Sequence, residues 1–311
     1  MENVEKMTSM ELKAFKEAEK AEKKANRIPN LFQIIWREIY RDKFALICLI
    51  VMVGLLVVSI VWAAIIGDVG TTRIVLGQQN LSPSEFRPLG TDSGGRSMLV
   101  QLVLGSRNSL IIAFAITIGS QLIGHIVGLI AGFYGGFVDL VIMRIIDILV
   151  MVPGVMLIIV VASILPTYGI PQFIMLLIAF GWFGIAISFR ARVLQESAKD
   201  YVLASKTLGT PNIVIMFKKV LPNVISFIMV GLVLGLAFSI GIETGLTALG
   251  IGLPFGTPSI GNMIASALDP TVLRIRPWQW VPAVVLIVVM TMSIRGVGNA
   301  VSRAVNPRQR R

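Results

Sequence analysis

The chain has 311 residues, of which 55% are hydrophobic and only 14% are charged, and its mean hydropathy is +0.81. Because a water-soluble domain of this length is far more polar, the sequence predicts an all-α polytopic membrane protein. The net charge of +11 does not indicate nucleic-acid binding, since the placement of the basic residues follows membrane topology, as shown below. The single cysteine, Cys48, excludes an intrachain disulfide and a cysteine-cluster metal site, and we expect no metal.

The N-terminal region, residues 1–43, is predicted to lie in the cytosol. Residues 1–29 are rich in Lys and Glu, which is typical of either a solvated helix or a disordered tail. They do not form a signal peptide, because roughly forty residues of mixed charge precede the first long apolar run. Residues 30–43 have an apolar side and a basic side, which predicts an amphipathic helix lying on the inner leaflet.

Six apolar runs predict six transmembrane helices within a domain of residues 44–303. The predicted spans are 44–66, 109–133, 140–165, 173–189, 224–249 and about 281–294 with flanks. The long connections are outer loops at 67–104 and 250–277 and a polar inner loop at 190–223, followed by a basic C-terminus at 304–311. This arrangement places 22 of the 28 Lys and Arg residues on one side, which is therefore predicted to be cytosolic and to hold both termini.

The polar loop 190–223 is predicted to form two short helices with a hinge between them. Ser197 and Asp200 have capping-box spacing, which predicts a first helix over residues 198–208 that is about 16 Å long. Gly209 follows as the expected left-handed stop, and Pro211 restarts a helix. Four residues at helical spacing would share a face that is small at its centre: Tyr201, Ala204, Ser205 and Leu208.

This loop resembles the cytoplasmic loop of ABC-importer permeases, whose pattern is Glu-Ala-Ala, three residues, Gly, about nine residues and Ile-x-Leu-Pro. The chain carries it as Leu203-Ala204-Ser205, Gly209 and Lys219-Val220-Leu221-Pro222. Three positions depart from the pattern. Leu203 stands in place of Glu, Ser205 in place of the second Ala, and Lys219 in place of Ile.

The resemblance implies that the 198–208 helix docks into a groove on a cytosolic ATPase and couples it to the membrane domain. The residues implied in this coupling are Tyr201, Ala204, Ser205, Leu208, Gly209, Leu221 and Pro222. Pro222 is expected to end or kink the second short helix where the next span begins. The alternative interpretation of the segment is an ordinary amphipathic cytoplasmic loop.

The first outer loop carries a longer motif, Arg87-Pro-Leu-Gly-Thr-Asp-Ser-Gly-Gly-Arg96. It resembles the Pro-Leu-Gly-Thr-Asp-x-x-Gly-Arg run in the second permease subunit of dipeptide and oligopeptide importers. The matching positions are Gly90, Thr91, Asp92, Gly95 and Arg96. The alternative is a glycine-rich loop that is stabilised by local turns and an Asp92–Arg96 contact.

An enzymatic function is not expected for this chain. Residues 92–95 imitate the nucleophile segment of serine proteases, but a hydrolase needs a base beside its serine. The only histidine, His125, lies deep within a predicted span, where a hydrogen bond across helices is the commoner role. The sequence also lacks G-x-x-x-x-G-K-[ST], so the chain is not itself the ATPase.

Residues 132–139 also match the peptide-importer subfamily, and two opposite charges follow them. Arg144 and Asp147 are three residues apart on a predicted helix and can therefore pair on one face. Near the inner membrane surface such a pair is more often structural than a proton relay. We expect a structural ion pair here.

The fifth predicted span contains two small-residue repeats, Gly231-x-x-x-Gly235 and Gly241-x-x-x-Gly245, which let helices pack at close range in lipid. They could form the interface with a partner permease around the substrate path, or pack within the subunit. Glu243 is the one carboxylate in this span and could face the substrate or make a structural hydrogen bond. The substrate-path candidates are Gly241, Glu243 and Gly245.

Together the resemblances imply an ABC type I importer permease fold and a permease subunit that moves di- or oligopeptides into the cell. The implied partners are a second permease, two cytosolic ATPases that hold ATP and Mg²⁺, an external binding protein and the membrane lipid. No cofactor is expected on this chain, and no nucleic acid. The alternatives are a permease for nickel complexes or other small solutes, and a secondary transporter, for which inverted repeats would be expected.

Overall fold

The computed structural model describes residues 31–66, 74–164 and 169–305, so the charged tail 1–29 and most of the C-terminus 304–311 lie outside the described residues. Within these ranges the chain forms thirteen α-helices and two isolated β-bridges, so the predicted all-α class is confirmed. The helices are α1 (Leu31–Arg41), α2 (Lys43–Ile66), α3 (Met98–Tyr134), α4 (Gly136–Met151), α5 (Gly154–Ile164), α6 (Ile170–Gly181), α7 (Phe183–Ser197), α8 (Asp200–Thr207), α9 (Asn212–Ile215), α10 (Leu221–Ala248), α11 (Ile260–Ala265), α12 (Pro270–Ile275) and α13 (Val281–Val305).

Five helical stretches are long and apolar enough to cross a membrane: α2, α3, α6 with α7, α9 with α10, and α13. Helices α4 and α5 pass the same test together, but they are bent by 74° at a break that contains Pro153. Proline lacks the backbone N–H that would continue the helical ladder, which accounts for a break at this point. Counted as one span, the pair gives six, and the third predicted span is a broken helix.

Several helices extend beyond the predicted spans, and two of these boundaries show the physical reason. Helix α3 begins at Met98 and not at residue 109, so the preceding loop ends at Ser97 and not at residue 104. Helix α7 continues to Ser197 and does not end at residue 189. Charged side chains such as Arg107 and Arg190 mark the end of an apolar run, but the backbone hydrogen-bond ladder continues past them.

Helix α3 lies at the centre of the bundle and makes its most extensive contacts with α7 and α10. Three glycines spaced four apart along α3, at 124, 128 and 132, allow the close approach of α7. A Cβ atom added at Gly128 would lie 2.7 Å from Ala186 O, and one added at Gly132 would lie 2.7 Å from Arg190 O. Close small-residue packing within the subunit is therefore found on the second span, where the sequence did not predict it.

The amphipathic segment predicted at 30–43 forms α1, which packs against α13. Ile35 and Ile39 of α1 are buried, whereas Trp36 and Tyr40 on its other side are exposed. Arg303 near the end of α13 forms ion pairs with Asp42 and, at 3.8 Å, with Glu38. These contacts mark the end of the bundle at which α8 also lies, which we call the α8 end.

Candidate functional site

The predicted docking helix is α8, and it is shorter than expected. It runs from Asp200 to Thr207, eight residues or about 12 Å, with Lys199 at the N-cap position. The predicted capping box is wrong, because Ser197 belongs to the last turn of α7. Its buried hydroxyl has no hydrogen-bond partner among the described residues. The chain turns between the two helices at Ala198 and Lys199 and not at Ser197.

Gly209 ends α8 in the left-handed conformation, with φ of +75°, as predicted. Its backbone N–H donates to Lys206 O at 3.1 Å, and the N–H of Thr210 donates to Ser205 O at 3.2 Å. This pair of bonds is the Schellman arrangement, which satisfies carbonyls at a helix C-terminus. A Cβ atom at position 209 would meet no described atom within 4 Å, so the requirement for glycine is conformational and not steric crowding by neighbours.

The face predicted for docking is divided between two sides of α8. Ser205 is buried and Tyr201 is two-thirds buried, and both side chains contact the rest of the subunit. Ala204 is exposed, and Leu208 is 84% exposed. Leu203, which replaces the Glu of the family pattern, is also about half exposed. The surface that a partner can reach therefore runs along Leu203, Ala204 and Leu208.

Polar side chains connect the buried side of α8 to the helices on either side. Tyr201 Oη donates to Glu196 Oε1 of α7 at 2.8 Å and accepts from Asn223 Nδ2 of α10 at 2.9 Å. Lys219 Nζ, just before α10, donates to Ser205 Oγ at 2.6 Å. Partial burial, and then the bond to the Glu196 carboxylate, raise the pKa of the Tyr201 hydroxyl.

An apolar cluster packs against the buried side of α8. Val202 is fully buried among side chains of α3, α7 and the start of α10. The cluster consists of Leu129, Phe133, Phe189, Val193, Val202, Ile215, Met216, Val220 and Val224. The helix is thus packed onto the membrane domain through one apolar side chain and the polar contacts of Tyr201 and Ser205. A displacement of α8 has to move these neighbours with it, because packed side chains resist deformation.

The segment that leads from α8 into α10 contains a π-helical turn, Met216–Val220. Leu221 N donates to Met216 O across this turn, and α10 begins at Leu221 with Pro222 in its first turn. Pro222 has no N–H to donate, which favours a local change in the ladder just before it. Pro222 was predicted to end or kink a second short helix, but helical backbone continues from Asn212 through the π-helical turn into α10, so this prediction is wrong.

An ion pair near α8, between Arg190 and Asp139, was not predicted from the sequence. Arg190 of α7 contacts both carboxylate oxygens of Asp139, in the first turn of α4. By contrast, Arg144 and Asp147, the predicted structural pair, are 4.0 Å apart and are 72% and 54% exposed. An exposed pair at that distance contributes little. The bidentate pair ties the turn after α3 to the helix that carries α8.

The motif in the loop before α3 is a compact network of turns. Asp92 Oδ1 accepts from the backbone N–H of Gly94 and Arg96, and Asp92 Oδ2 lies 2.7 Å from Arg96 Nε. Gly90 and Gly95 both have positive φ, and a Cβ at either would lie within 2.4 Å of a backbone oxygen. Thr91 Oγ1 donates to a backbone carbonyl and accepts from a backbone N–H in the same loop. These contacts correspond to the structural alternative for this motif.

The carboxylate of Glu243 is fully buried near the end of the bundle opposite α8. Thr244 Oγ1 donates to it at 3.1 Å and Thr247 Oγ1 lies at 3.5 Å, while Ser109 of α3 is a further hydrogen-bonding neighbour. These contacts fit the structural role considered for it. Gly241 and Gly245 are exposed on the same helix, and a Cβ at either would meet no described atom within 4 Å.

A cavity of about 850 Å³ opens between α3, α5, α6, α7, α10 and α13. Most of its wall is apolar, and the three substrate-path candidates are not part of it. Gly231 and Gly235 line it instead, next to Gln121, whose Nε2 donates to Gly231 O at 2.8 Å. Arg295 also lines this cavity, although its place in the sequence predicted a position at the cytosolic end of the chain.

The sequence matches the family described as "Binding-protein-dependent transport system inner membrane component" over residues 124–311. It is 38% identical to the oligopeptide transport system permease protein OppC of Lactococcus lactis subsp. lactis, over 93% of this chain and 98% of that protein. It is 32% identical to OppC of Bacillus subtilis, over 94% of each chain, and 32% identical to the dipeptide permease DppC of the same organism, over 90% and 86%. The chain therefore belongs to the binding-protein-dependent transport system inner membrane component family, the multi-pass permeases of ABC importers.

Proposed function

We propose that the protein is the second permease subunit of an ATP-driven importer of di- or oligopeptides. The observation that carries this proposal is the match to peptide permeases along nearly the whole chain, since similarity at this level covers the membrane domain as well as the loops. In such a complex the chain forms the path together with another permease, while separate cytosolic ATPases hydrolyse ATP and an external protein delivers the peptide. This chain then has no catalytic residue.

The exposed edge of α8 is the surface proposed to contact an ATPase. Leu203, Ala204 and Leu208 form an apolar strip, and two further exposed apolar side chains, Ile213 and Phe217, follow it on the same loop. Exposed apolar patches of this kind indicate protein contacts. Because Leu203 replaces Glu, the contact at this position is expected to be apolar and to bury surface instead of forming an ion pair.

A movement of α8 would be transmitted to the transmembrane helices through the contacts on its buried side. Lys219 and Asn223 connect it to α10, and Glu196 connects it to α7. Both helices line the cavity, so a movement of α8 would be transmitted to two of its walls. Coupling of this kind requires an element with two arrangements that both sites bias, and the α7–α8–α10 unit is the element proposed.

The open small-residue face of α10 is the surface proposed to meet the second permease. Gly241 and Gly245 are exposed there, between the exposed side chains of Phe238 and Leu249. Small residues spaced four apart allow another helix to approach closely in lipid. The other two glycines of the same helix, Gly231 and Gly235, pack against the side chain of Gln121 of α3. Packing within the subunit therefore accounts for the first of the two glycine repeats but not for the second.

The orientation proposed places α8 and both termini in the cytosol, as the distribution of basic residues indicates. Ser82 and Lys206 are both exposed and lie in the two loops predicted to face opposite sides. In a Cys48→Ser background, cysteines at these positions should react with an impermeant reagent from opposite sides of the membrane. Reaction of both from the outside would rule out this orientation.

Reconstitution tests the function itself. The tagged protein is purified with its associated subunits and placed in lipid vesicles with ATP and Mg²⁺ on the α8 side and a labelled tripeptide with its binding protein on the other. We expect uptake that needs both ATP and the binding protein. A complex that transports a nickel chelate but no peptide, or one that lacks an ATPase, would contradict the proposal.

A further inference from the structure

One cation lies within the membrane domain without a partner in the described part of the chain. Arg295 is on α13, eight residues before Arg303, so it lies about 12 Å deeper in the bundle than the ion pairs that Arg303 makes. Its side chain is exposed on the wall of the 850 Å³ cavity. An arginine at this depth is costly unless it faces water or a ligand, so intramembrane charges usually mark a functional path.

Arg295 has a polar neighbour, no acidic neighbour on the cavity wall and an apolar surface around it, which suits the C-terminal carboxylate of a peptide. Asn299 lies one helical turn further along α13, on the same face and also on the cavity wall. No Asp or Glu is among the residues that line the cavity, so an acidic group has to come from outside the subunit. The rest of the wall is largely apolar, with Ile158, Leu177 and Phe238 among its side chains.

Two residues of α3 on the cavity wall, Ser120 and Gln121, each have a buried oxygen without a partner in the described part of the chain. Gln121 Nε2 donates to Gly231 O, which directs the amide nitrogen to α10 and leaves Oε1 without a donor among the described residues. Ser120 Oγ is likewise buried and unpartnered there. Both oxygens are shielded from the cavity by neighbouring helices, so the polar groups that a ligand can reach on this wall are those of Arg295 and Asn299.

We propose that this cavity is a resting site for the peptide during transport, in which Arg295 binds the C-terminal carboxylate. The guanidinium fork matches a carboxylate with two parallel hydrogen bonds, Asn299 adds a donor, and the apolar wall accommodates side chains of varied sequence. This inference rests on the proposed function, because it takes a peptide as the substrate.

Every unmodified peptide ends in a carboxylate, and recognition of this group would make the site selective for peptides with a free C-terminus. A site that binds the terminal carboxylate and offers apolar surface elsewhere accepts many sequences but discriminates against a peptide whose C-terminus is amidated. A site built to pair a charged group discriminates against an analogue that lacks it, since the arginine then loses its carboxylate partner. The cavity volume lies within the usual range of small-ligand sites, which fits a short peptide and not a folded chain.

The test compares one tripeptide as free acid and as C-terminal amide in the reconstituted, complete transporter. Wild type and Arg295→Gln are assayed with the same binding protein, so delivery of each peptide is equal for both. Removing the guanidinium should lower uptake of the free acid roughly tenfold or more and change uptake of the amide by less than about twofold. Arg295→Lys keeps the charge but loses the fork, and it should lower uptake of the acid to an intermediate extent.

Arg303→Gln is the matched control, because it removes a charge two turns further along α13 from an ion pair outside the cavity. It should affect both peptides by the same factor. If the binding protein does not deliver the amide, a free-acid peptide with a photoreactive C-terminal residue replaces it. Its cross-links should map to the segment around Asn299 in wild type and be lost in Arg295→Gln.

The outcomes separate this inference from the function on which it rests. If the wild type takes up the free acid and Arg295→Gln lowers uptake of the acid and the amide equally, the role of Arg295 is wrong but the function as a peptide importer stands. Failure of both Arg295→Gln and Arg295→Lys to assemble would assign the arginine to contact with the second permease and also overturn the inference. Absence of any peptide uptake by wild type would overturn both proposals.

Discussion

Lys219 donates to Ser205 across a distance of 2.6 Å, and these are two of the three positions at which the loop departs from the permease pattern. In that pattern the same positions are Ile and Ala, an apolar pair. Here a charge-assisted hydrogen bond joins the two positions and connects α8 to the segment just before α10. The two departures are thus one structural change, and they should be interpreted together.

This relationship predicts non-additive effects on coupling. Ser205→Ala leaves the Lys219 ammonium without this acceptor, and Lys219→Ile leaves the buried Ser205 hydroxyl without its donor, so each should lower peptide-stimulated ATP hydrolysis. The double variant Ser205→Ala/Lys219→Ile restores the apolar pair and should recover most of it. In a double-mutant cycle, the interaction energy between Ser205 and Lys219 should be about 0.5–1.5 kcal/mol. Additive effects of the two substitutions would show that the contact carries no coupling.

Gly209 provides a second test of the same unit. Gly209→Val forces a β-branched residue into the left-handed region, at a cost on the order of 1 kcal/mol or more, without creating a clash. Abundance in the membrane should stay near normal while stimulated ATP hydrolysis and peptide uptake fall together. Gly209→Asn should be milder, since asparagine tolerates this conformation. Full uptake by a well-expressed Gly209→Val complex would contradict the prediction.

The ion pair between Asp139 and Arg190 should matter for stability, and the predicted one should not. Asp139→Asn removes a bidentate partner from a partly buried arginine and should cost about 1–3 kcal/mol, seen as a lower unfolding temperature in detergent. Asp147→Asn is the matched control, because its pair is exposed and 4.0 Å long, and it should change stability by less than about 0.5 kcal/mol. Equal effects of the two substitutions would show that Asp139 is not a structural anchor.

The apolar pattern of the sequence was sufficient to predict the class, the amphipathic α1 and the approximate position of each span. It failed at helix ends, since Arg190 and Arg192 interrupt an apolar run but not a backbone ladder. The kink between α4 and α5 was also missed, although Pro153 was the available signal, because neighbouring apolar residues on both sides gave a continuous hydropathy profile.

Of the candidate site, the sequence predicted the local turn but not the contacts between helices. A turn that requires positive φ leaves a local signature, so Gly209 could be recognised from its neighbours. The contacts of Glu196 with Tyr201, and of Lys219 with Ser205, depend on how α7, α8 and α10 pack, which helical periodicity does not encode. Arg295 resembled a cytosolic basic residue because a span was assumed to end near it.

A cross-linking experiment tests most directly whether α8 is the docking helix. In a Cys48→Ser background, Ala204→Cys places a thiol on the exposed edge and Ser205→Cys places one on the buried side of the same helix turn. Each is combined with cysteines along the groove of the partner ATPase and treated with a short cross-linker. We predict efficient cross-linking from position 204, sensitive to ATP, and little from position 205. Absence of cross-linking from position 204 in an active complex would contradict the proposed role of α8.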